Sequence, residues 1–380
     1  MKNTTVGGVS RRASFDHVFI AIVVLLTGMG LVTLYSASYA FAGRWYDNRI
    51  YLIIRQGIYA VVGLSFFIAA CHVNIETLRK FITPVILGTL VFCVLPFFPV
   101  VGINLGGASR WIKIDDWTFQ PSEIAKFSLP VYLAHILDKK QDKINDVREG
   151  LMAPVVVTLL FFIIIYLQND FSTAIFIMIN TLIIFFLAGI KMRYFISAAV
   201  MFVPISILLV ITKEYRLLRV LAFLDSTFQP LEAGFQQDAA EKALRFGGFM
   251  GRGIGQGEWK ISSVPAIQSD FIFASFAEET GFMGVIVFML CFCIFAFRGY
   301  RIALRSNQMF HVLLCAGLVT SIILQMLMNI SVVARLVPVT GVPLPFFSAG
   351  GSSLITTLMA SGCIANISRI CEKAKGAGGD

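Results

Sequence analysis

The chain has 380 residues, 57% of them hydrophobic and 14% charged. Soluble domains carry about 25% charged residues, so this chain has too few polar groups to cover a water-facing surface. That excludes disordered, collagen-like, coiled-coil and soluble globular classes. The net charge of +9 reflects the Lys and Arg that gather in cytoplasmic loops of membrane proteins rather than binding to nucleic acid.

In chain order, a short tail (1–16) precedes ten apolar runs at 17–39, 52–71, 82–101, 122–137, 152–167, 171–189, 194–212, 271–297, 309–332 and 348–369. Each is near the roughly 20 residues needed to cross hydrocarbon. Only a helix satisfies its own backbone there. The expected fold is therefore an all-α polytopic membrane protein, a single unit over 17–370 with a tail at 371–380. The first run is longer than the roughly 7–15 residues of a signal-peptide core and is read as a retained helix, although Ala40-Phe41-Ala42 superficially fits a cleavage site. Run 122–137 is short and carries Glu123 and Lys126.

Basic residues alternate with the loops. One set holds Arg11, Arg12, Arg79, Lys80, Lys139, Lys140, Lys143, Arg148, Lys191, Arg193, Arg298, Arg301, Arg305, Arg369 and Lys373, while the short loops of the other hold Arg44, Arg49, Arg110, Lys113 and Arg335. This places both termini in the cytoplasm. The long segment 213–270 then lies outside, between helices 7 and 8. In it Phe235, Ala239, Ala243 and Phe246 recur at helical spacing opposite Gln236, Glu241 and Lys242, which predicts an amphipathic helix on the outer membrane surface. A glycine-rich run, Gly247 to Gly257, follows. The last outer loop, Val342-Pro343-Leu344-Pro345-Phe346-Phe347, is apolar yet broken by two prolines. Such a segment must be buried in protein or line a cavity.

The seven cysteines form no CxxC or His-bearing spacing and are read as small buried hydrophobes. His17, His72, His135 and His311 form no cluster, so no metal-ligating set is read. No resident cofactor is expected, and a divalent cation (Mg2+ or Mn2+) is left open.

Ionisable groups at membrane depth are expensive and functional by default. Here they collect on the outer side as Arg110, Lys113, Glu123, Lys126, Asp170, Arg216, Arg219, Asp270, Glu278 and Arg335. Several cations with few carboxylates suit a diphosphate group. One carboxylate among them can serve as a general base. Asp270 and Glu278 on one helix differ by about 12 Å in rise, too far for a glycosidase pair. Structural alternatives stand beside each assignment. Asp270 also fits a helix N-cap, Arg216 and Arg219 fit lipid-phosphate anchors, and Glu123 with Lys126 fits an i,i+3 ion pair. Glu278 and Glu279 fit a polar contact between helices, and Asp115-Asp116 a solvated loop.

Several stretches resemble the SEDS peptidoglycan polymerases, a family that includes FtsW of division and RodA of elongation. They are Tyr35-Ser36-Ala37-Ser38, Gly106-Gly107-Ala108-Ser109-Arg110-Trp111-Ile112, Phe119-Gln120-Pro121-Ser122-Glu123-Ile124-Ala125-Lys126, Gln168-Asn169-Asp170-Phe171-Ser172-Thr173-Ala174, Arg219 through Asp225, Ser269-Asp270-Phe271-Ile272-Phe273-Ala274 with Glu278-Glu279-Thr280-Gly281-Phe282, and Asn329 through Ser353. The resemblance implies polymerisation of lipid II, an undecaprenyl-diphosphate-linked disaccharide pentapeptide, at the outer face of the cytoplasmic (inner) membrane. It also implies a class B penicillin-binding protein and divisome components as partners. Its essential Asp falls on Asp270, expected to take the acceptor's hydroxyl proton, and its essential basic positions on Arg110 and Lys126. Arg216, Arg219, Glu123, Gln236 and Ser352 join these as expected substrate-binding residues. Departures are Gln268-Ser269 for the family's His-Thr, Ala266 for a Glu, Arg245-Phe246-Gly247-Gly248 for GSGG, and Asn169 for a Pro. Phe171 and the entry of helix 1 lean toward the division branch. A RodA-type elongation polymerase, a lipid II flippase and a scaffold for a partner enzyme are the competing readings.

Overall fold

A computed structural model describes residues 14–45, 48–105, 107–115, 117–224, 232–257 and 268–377. The tail residues before 14, Asp116, Asp225, Ala266 and the side chain of Phe235 lie outside the described residues.

All ten apolar runs fold as helices. They are α1 (His17–Trp45), α2 (Tyr51–His72), α4 (Ile82–Val94), α5 (Pro121–Lys139), α6 (Met152–Leu167), α7 (Phe171–Leu187), α8 (Met192–Ile211), α11 (Ile272–Leu304), α12 (Met309–Val333) and α13 (Gly351–Ala377). Shorter helices are α3 (Ile75–Lys80), α9 (Glu214–Leu224) and α10 (Glu232–Gly247). Among the described residues seven helices are long and apolar enough to cross a membrane, and two shorter apolar ones accompany them. The tenth, α5, is shielded instead of apolar. It packs against α12, α4 and α7, and Ser122, Glu123, Lys126 and Ser128 are all buried. A helix with such groups is placed at the centre of the bundle because lipid cannot solvate them. At the other extreme, α8 buries no residue. One side of it touches the bundle through the half-buried Phe195, Phe202 and Leu209, and the rest of its apolar surface is exposed, as suits a helix whose solvent is lipid.

The helices α2 and α13 form the most extensive pairing, and glycines set their separation. A Cβ on Gly63 would sit 2.6 Å from Leu358, and one on Gly362 would sit 2.4 Å from the Phe67 carbonyl. Small residues let helix backbones approach closely where lipid offers no hydrophobic drive. Asn366 closes the end of the pair by donating to the carbonyls of Ala70 and Val73 at 2.9 and 2.6 Å. Arg298 near the end of α11 grips Asp16 with both carboxylate oxygens, at 2.7 and 2.6 Å, and the Asp16 amide donates to Ser368. The first and last helices thus meet at the end of the bundle remote from residue 270.

The structure corrects five sequence expectations. Helix 82–101 stops at Val94, followed by a 3-10 turn over Leu95–Phe97 that contains Pro96. The chain then forms an antiparallel sheet, which interrupts the all-α expectation: β1 (Gly102–Leu105), β2 (Ala108–Ile114) and β3 (Trp117–Phe119), in that order. Its registers include Gly102↔Ile112 and Lys113↔Thr118. Outer loops too short for another helix satisfy their backbone by pairing with each other. The tenth helix starts at Gly351, after Ser348 and Ala349 bond the carbonyls of Ser269 and Gln268, and it runs on to Ala377 through the expected tail. The apolar stripe of α10 is partly taken up by protein: Ala239 and Ala243 are buried whereas Phe246 is exposed, and α10 packs on α11. Small alanines suit close helix contact rather than insertion among lipid chains.

The fifth correction concerns α11, which is broken at Gly281 (φ 65°, ψ −167°). Phe282 and Met283 donate to the carbonyls of Gly248 and Phe249 at 2.9 and 3.2 Å. In return, Arg252 and Gly253 donate to those of Glu278 and Glu279, both at 3.0 Å. The glycine-rich run therefore splices the break, replacing helical hydrogen bonds with bonds to a neighbouring backbone, the condition for non-helical chain at membrane depth. Glycine is required on both sides. A Cβ on Gly281 would lie 2.2 Å from the Gly251 nitrogen, and one on Gly251 2.2 Å from the Glu279 carbonyl.

Candidate active site

Period-two alternation along β2 decides which loop cation enters the bundle. Ala108, Arg110 and Ile112 share the inward face, and Ala108 and Ile112 are buried, whereas Lys113 on the other face is exposed. Arg110 Nη1 lies 3.4 Å from Asp170 Oδ1. Asp170, almost wholly buried, also caps α7 by accepting from the Thr173 amide at 3.2 Å, and it accepts from Gln120 Nε2 at 2.9 Å. It thus orients Arg110. The preceding Asn169 has φ 62° and donates to the Gly107 carbonyl at 2.9 Å. Asn tolerates this left-handed conformation, whereas proline is locked near −65°. Asn169 in place of the family's Pro therefore marks a different local turn.

Asp270 ends the turn before α11. The cap residue of that helix is Phe271, so the N-cap alternative for Asp270 does not hold. The turn is pinned on three sides. The Ala349 amide donates to Gln268 O at 2.8 Å, Ser348 Oγ donates to Ser269 O, and Asn329 Nδ2 donates to Asp270 O at 2.8 Å. The carboxylate converges with Arg110 on Gly341. A Cβ built there would stand 3.2 and 3.3 Å from the Arg110 Nη atoms and 3.7 Å from Asp270 Oδ2. Burial pushes the Asp270 carboxyl up to about 6, against the opposing pull of Arg110 and Arg219. The nearby Asp170 charge pushes it further up, and the Ser269 hydroxyl pulls it down. Arg219 comes from α9, donates to the Val339 carbonyl at 3.2 Å and stacks 4.3 Å over Tyr215.

Three of the expected residues, Asp270, Arg110 and Arg219, are therefore brought together. The others are not in that group. Lys126 bonds Glu123 at 2.7 Å and Gln325 Oε1 at 3.4 Å inside the bundle, beside a cavity lined by Ser321, Thr356 and Thr357. Arg216 is sandwiched at 4.5 and 4.8 Å over Tyr166 and Phe171 and donates to Leu209 O. Gln236 is half-buried on α10, and Ser352 is buried in the first turn of α13, where its carbonyl accepts from Thr356. Glu279 accepts from Ser36 at 2.6 Å, a polar contact between α1 and α11. Arg335 pairs with Asp238 and Glu241 on α10. Among the described residues no three His, Cys, Asp or Glu side chains gather as a metal-holding cluster.

Sequence reasoning missed Asn329, Gln325 and Gly341. Their roles are contacts to loop backbone and to side chains distant in sequence, which carry no signature in residue type. Around Asp270, the Nε atoms of Arg110 and Arg219, Thr340 Oγ1 and Asn329 Oδ1 are buried without a protein partner. Buried polar atoms are normally satisfied, so several unsatisfied ones around one carboxylate mark a site for a polar ligand.

Residues 16–373 match the profile of the FtsW/RodA/SpoVE family, described as cell cycle protein. The chain belongs to this family. It is 38% identical over 354 residues to a probable peptidoglycan glycosyltransferase FtsW of Geobacter sulfurreducens, covering 93% of this chain and 95% of the relative. It is 33% identical to the stage V sporulation protein E of Bacillus subtilis, over 95% and 98% of the two chains. Among solved structures, a chain from a peptidoglycan synthase complex that coordinates polymerization and crosslinking is similar, with a TM-score of 0.78, 26% identity and coverage of 94% and 98%. The rod shape determining protein RodA of Thermus thermophilus has the same fold, at a TM-score of 0.69 and 24% identity, with 94% and 97% covered. This FtsW/RodA/SpoVE member is thus a multi-pass membrane protein whose helical order matches that of solved relatives.

Proposed function

We propose that this chain, a peptidoglycan glycosyltransferase of the FtsW/RodA/SpoVE family, polymerises lipid II at the outer face of the cytoplasmic membrane with Asp270 as general base. The observation that carries the reading is the convergence of Asp270 and Arg110 on Gly341, with Arg219 in the same field. The acceptor's hydroxyl oxygen bonds the donor's anomeric carbon, and the bond from that carbon to the diphosphate oxygen breaks. The hydroxyl proton passes to the Asp270 carboxylate. Arg110 and Arg219 take up the negative charge on the departing undecaprenyl diphosphate, the kind of electrostatic stabilisation that dominates such transfers. A base with a pKa near the working pH is both ionised and strong enough to take a proton.

The excess of Lys and Arg at the end where α1 and α13 meet supports an outward-facing site. Likeness to a chain of a peptidoglycan synthase complex supports a class B penicillin-binding protein as partner. The FtsW relatives support a role in septal synthesis within the divisome. In the decisive experiment, purified full-length protein is incubated with labelled lipid II. Glycan polymer is the expected product, and transfer of lipid II across liposomes without polymer would instead identify a flippase.

Arg110→Gln removes the planar, charged fork from the site. The expected result is a loss of about 10²-fold in polymerisation rate, read from initial rates with labelled lipid II. Lys113→Gln, on the exposed face of the same strand, is expected to keep the parent rate.

A further inference from the structure

Two side-chain amides on α12 hold the reactive turn and the floor beneath it. Gln325 and Asn329 are four residues apart, hence on one face of the helix, and both are buried. Asn329 Nδ2 donates to two carbonyls, Asp270 O at 2.8 Å and Val342 O at 2.9 Å. The first belongs to the residue read as the base. The second follows Gly341, where Arg110 and Asp270 converge. Gln325 Nε2 donates to the next carbonyl, Pro343 O, at 2.9 Å and to Ser353 Oγ at 3.3 Å, while its Oε1 accepts from Lys126 Nζ at 3.4 Å. The segment from Val339 to Gly350 forms no helix or strand, and Pro343 and Pro345 have no N–H to donate. Side-chain donors from α12 hold its middle, at Val342 and Pro343, while Arg219 and Gln56 bond its ends at Val339 and Ser348.

We propose that Asn329 is the positioning residue for Asp270, fixing the backbone carbonyl of that residue and the floor beneath it to one amide, and that Gln325 ties the floor segment to the buried Glu123–Lys126 pair. The inference rests on Asp270 being the base. It gives Lys126 an action on the reaction through the protein, by way of Gln325 and the Val342–Pro343 carbonyls, rather than by contact with diphosphate. An error of about 1 Å in a reacting group costs about 10²-fold in rate, so one amide that spans both halves of the site has leverage on turnover through the backbone it holds.

The test compares Asn329→Asp, Asn329→Ala, Gln325→Leu and Asp270→Asn in the full-length purified protein, with kcat and KM for lipid II measured across pH about 5 to 9. Asn329→Asp keeps the shape but loses the donor. It is expected to lower kcat by about 10- to 100-fold at unchanged KM, and to move the acid limb of the kcat profile to higher pH. The added carboxylate joins Asp170 against Arg110, Arg219 and the Ser269 hydroxyl, the groups already bearing on Asp270. Asn329→Ala should lose kcat without the upward move, and Gln325→Leu should lose less. Parent kcat in both Asn329 variants, or a loss confined to KM, would overturn the positioning role. If Asn329→Ala does not fold, the near-isosteric Asn329→Asp decides alone. An active Asp270→Asn protein would overturn the base itself, which separates the two claims.

Discussion

Asp270→Asn is expected to abolish lipid II polymerisation, by about 10²- to 10⁴-fold, while the protein inserts, purifies and melts like its parent. The substitution keeps the size of the side chain, the bond from Asn329 to the residue-270 carbonyl and the bond from the Ala349 amide to the Gln268 carbonyl, so the turn remains pinned. It removes the carboxylate read as taking the acceptor's proton beside Arg110 and Arg219. The parent enzyme carries a linked expectation. Burial holds the Asp270 carboxyl up at about 6, and only the ionised form is a base. Turnover should therefore be level above that pH and fall as pH drops through it, approaching a tenfold loss per unit on the acid side. A kcat profile with no acid limb, together with a fully active Asp270→Asn protein, would remove Asp270 from the chemistry.

The second large effect is on stability. Gly281→Ala places a Cβ 2.2 Å from the Gly251 nitrogen, at a φ of 65° and ψ of −167° that L-residues rarely adopt. Backbone strain of this kind costs about 1–3 kcal/mol. Pushing the glycine-rich run away also breaks the four hydrogen bonds that splice α11, each worth about 0.5–1.5 kcal/mol net. The expected loss is about 3 kcal/mol or more, seen as a lower melting temperature in detergent and increased proteolysis near residue 250. Gly88→Ala provides the contrast. It lies within α4 with nothing near the added atom, and alanine there should be neutral or stabilising by about 0.5–1 kcal/mol. Equal melting temperatures for Gly281→Ala and parent would refute the splice.

The helical frame was readable because the rule behind it is local. A run of about 20 apolar residues has one solution in lipid, and all ten runs adopt it. Boundaries slipped where a different local rule won. Pro96 ended α4 early, whereas α13 starts only at Gly351, after Ser348 and Ala349 bond the distant turn before α11. The sheet over residues 102–119 was not foreseen because its strands are short and pair only with each other. The pattern did pick out the group of residues that converge. Asp270, Arg110 and Arg219 were all named from charge at membrane depth and from family likeness. The same reasoning also named Lys126 and Arg216, whose charges are met by Glu123 and Gln325 and by the rings of Tyr166 and Phe171. Charge identifies candidates, but partners decide among them.

Composition and hydropathy by themselves determined that this protein lives in a membrane as a helical bundle, because the cost of unsatisfied backbone in hydrocarbon leaves no alternative. Ordered motifs determined its family. Only the tertiary structure decided which loop cation turns inward on β2, that Asp270 faces Arg110 across Gly341 instead of capping α11, and that two amides of α12 hold both. These are contacts between residues up to 231 positions apart in sequence, as Arg110 and Gly341 are (341 − 110). No local propensity encodes them. They follow from how the helices pack and from the need of each buried donor and acceptor for a partner.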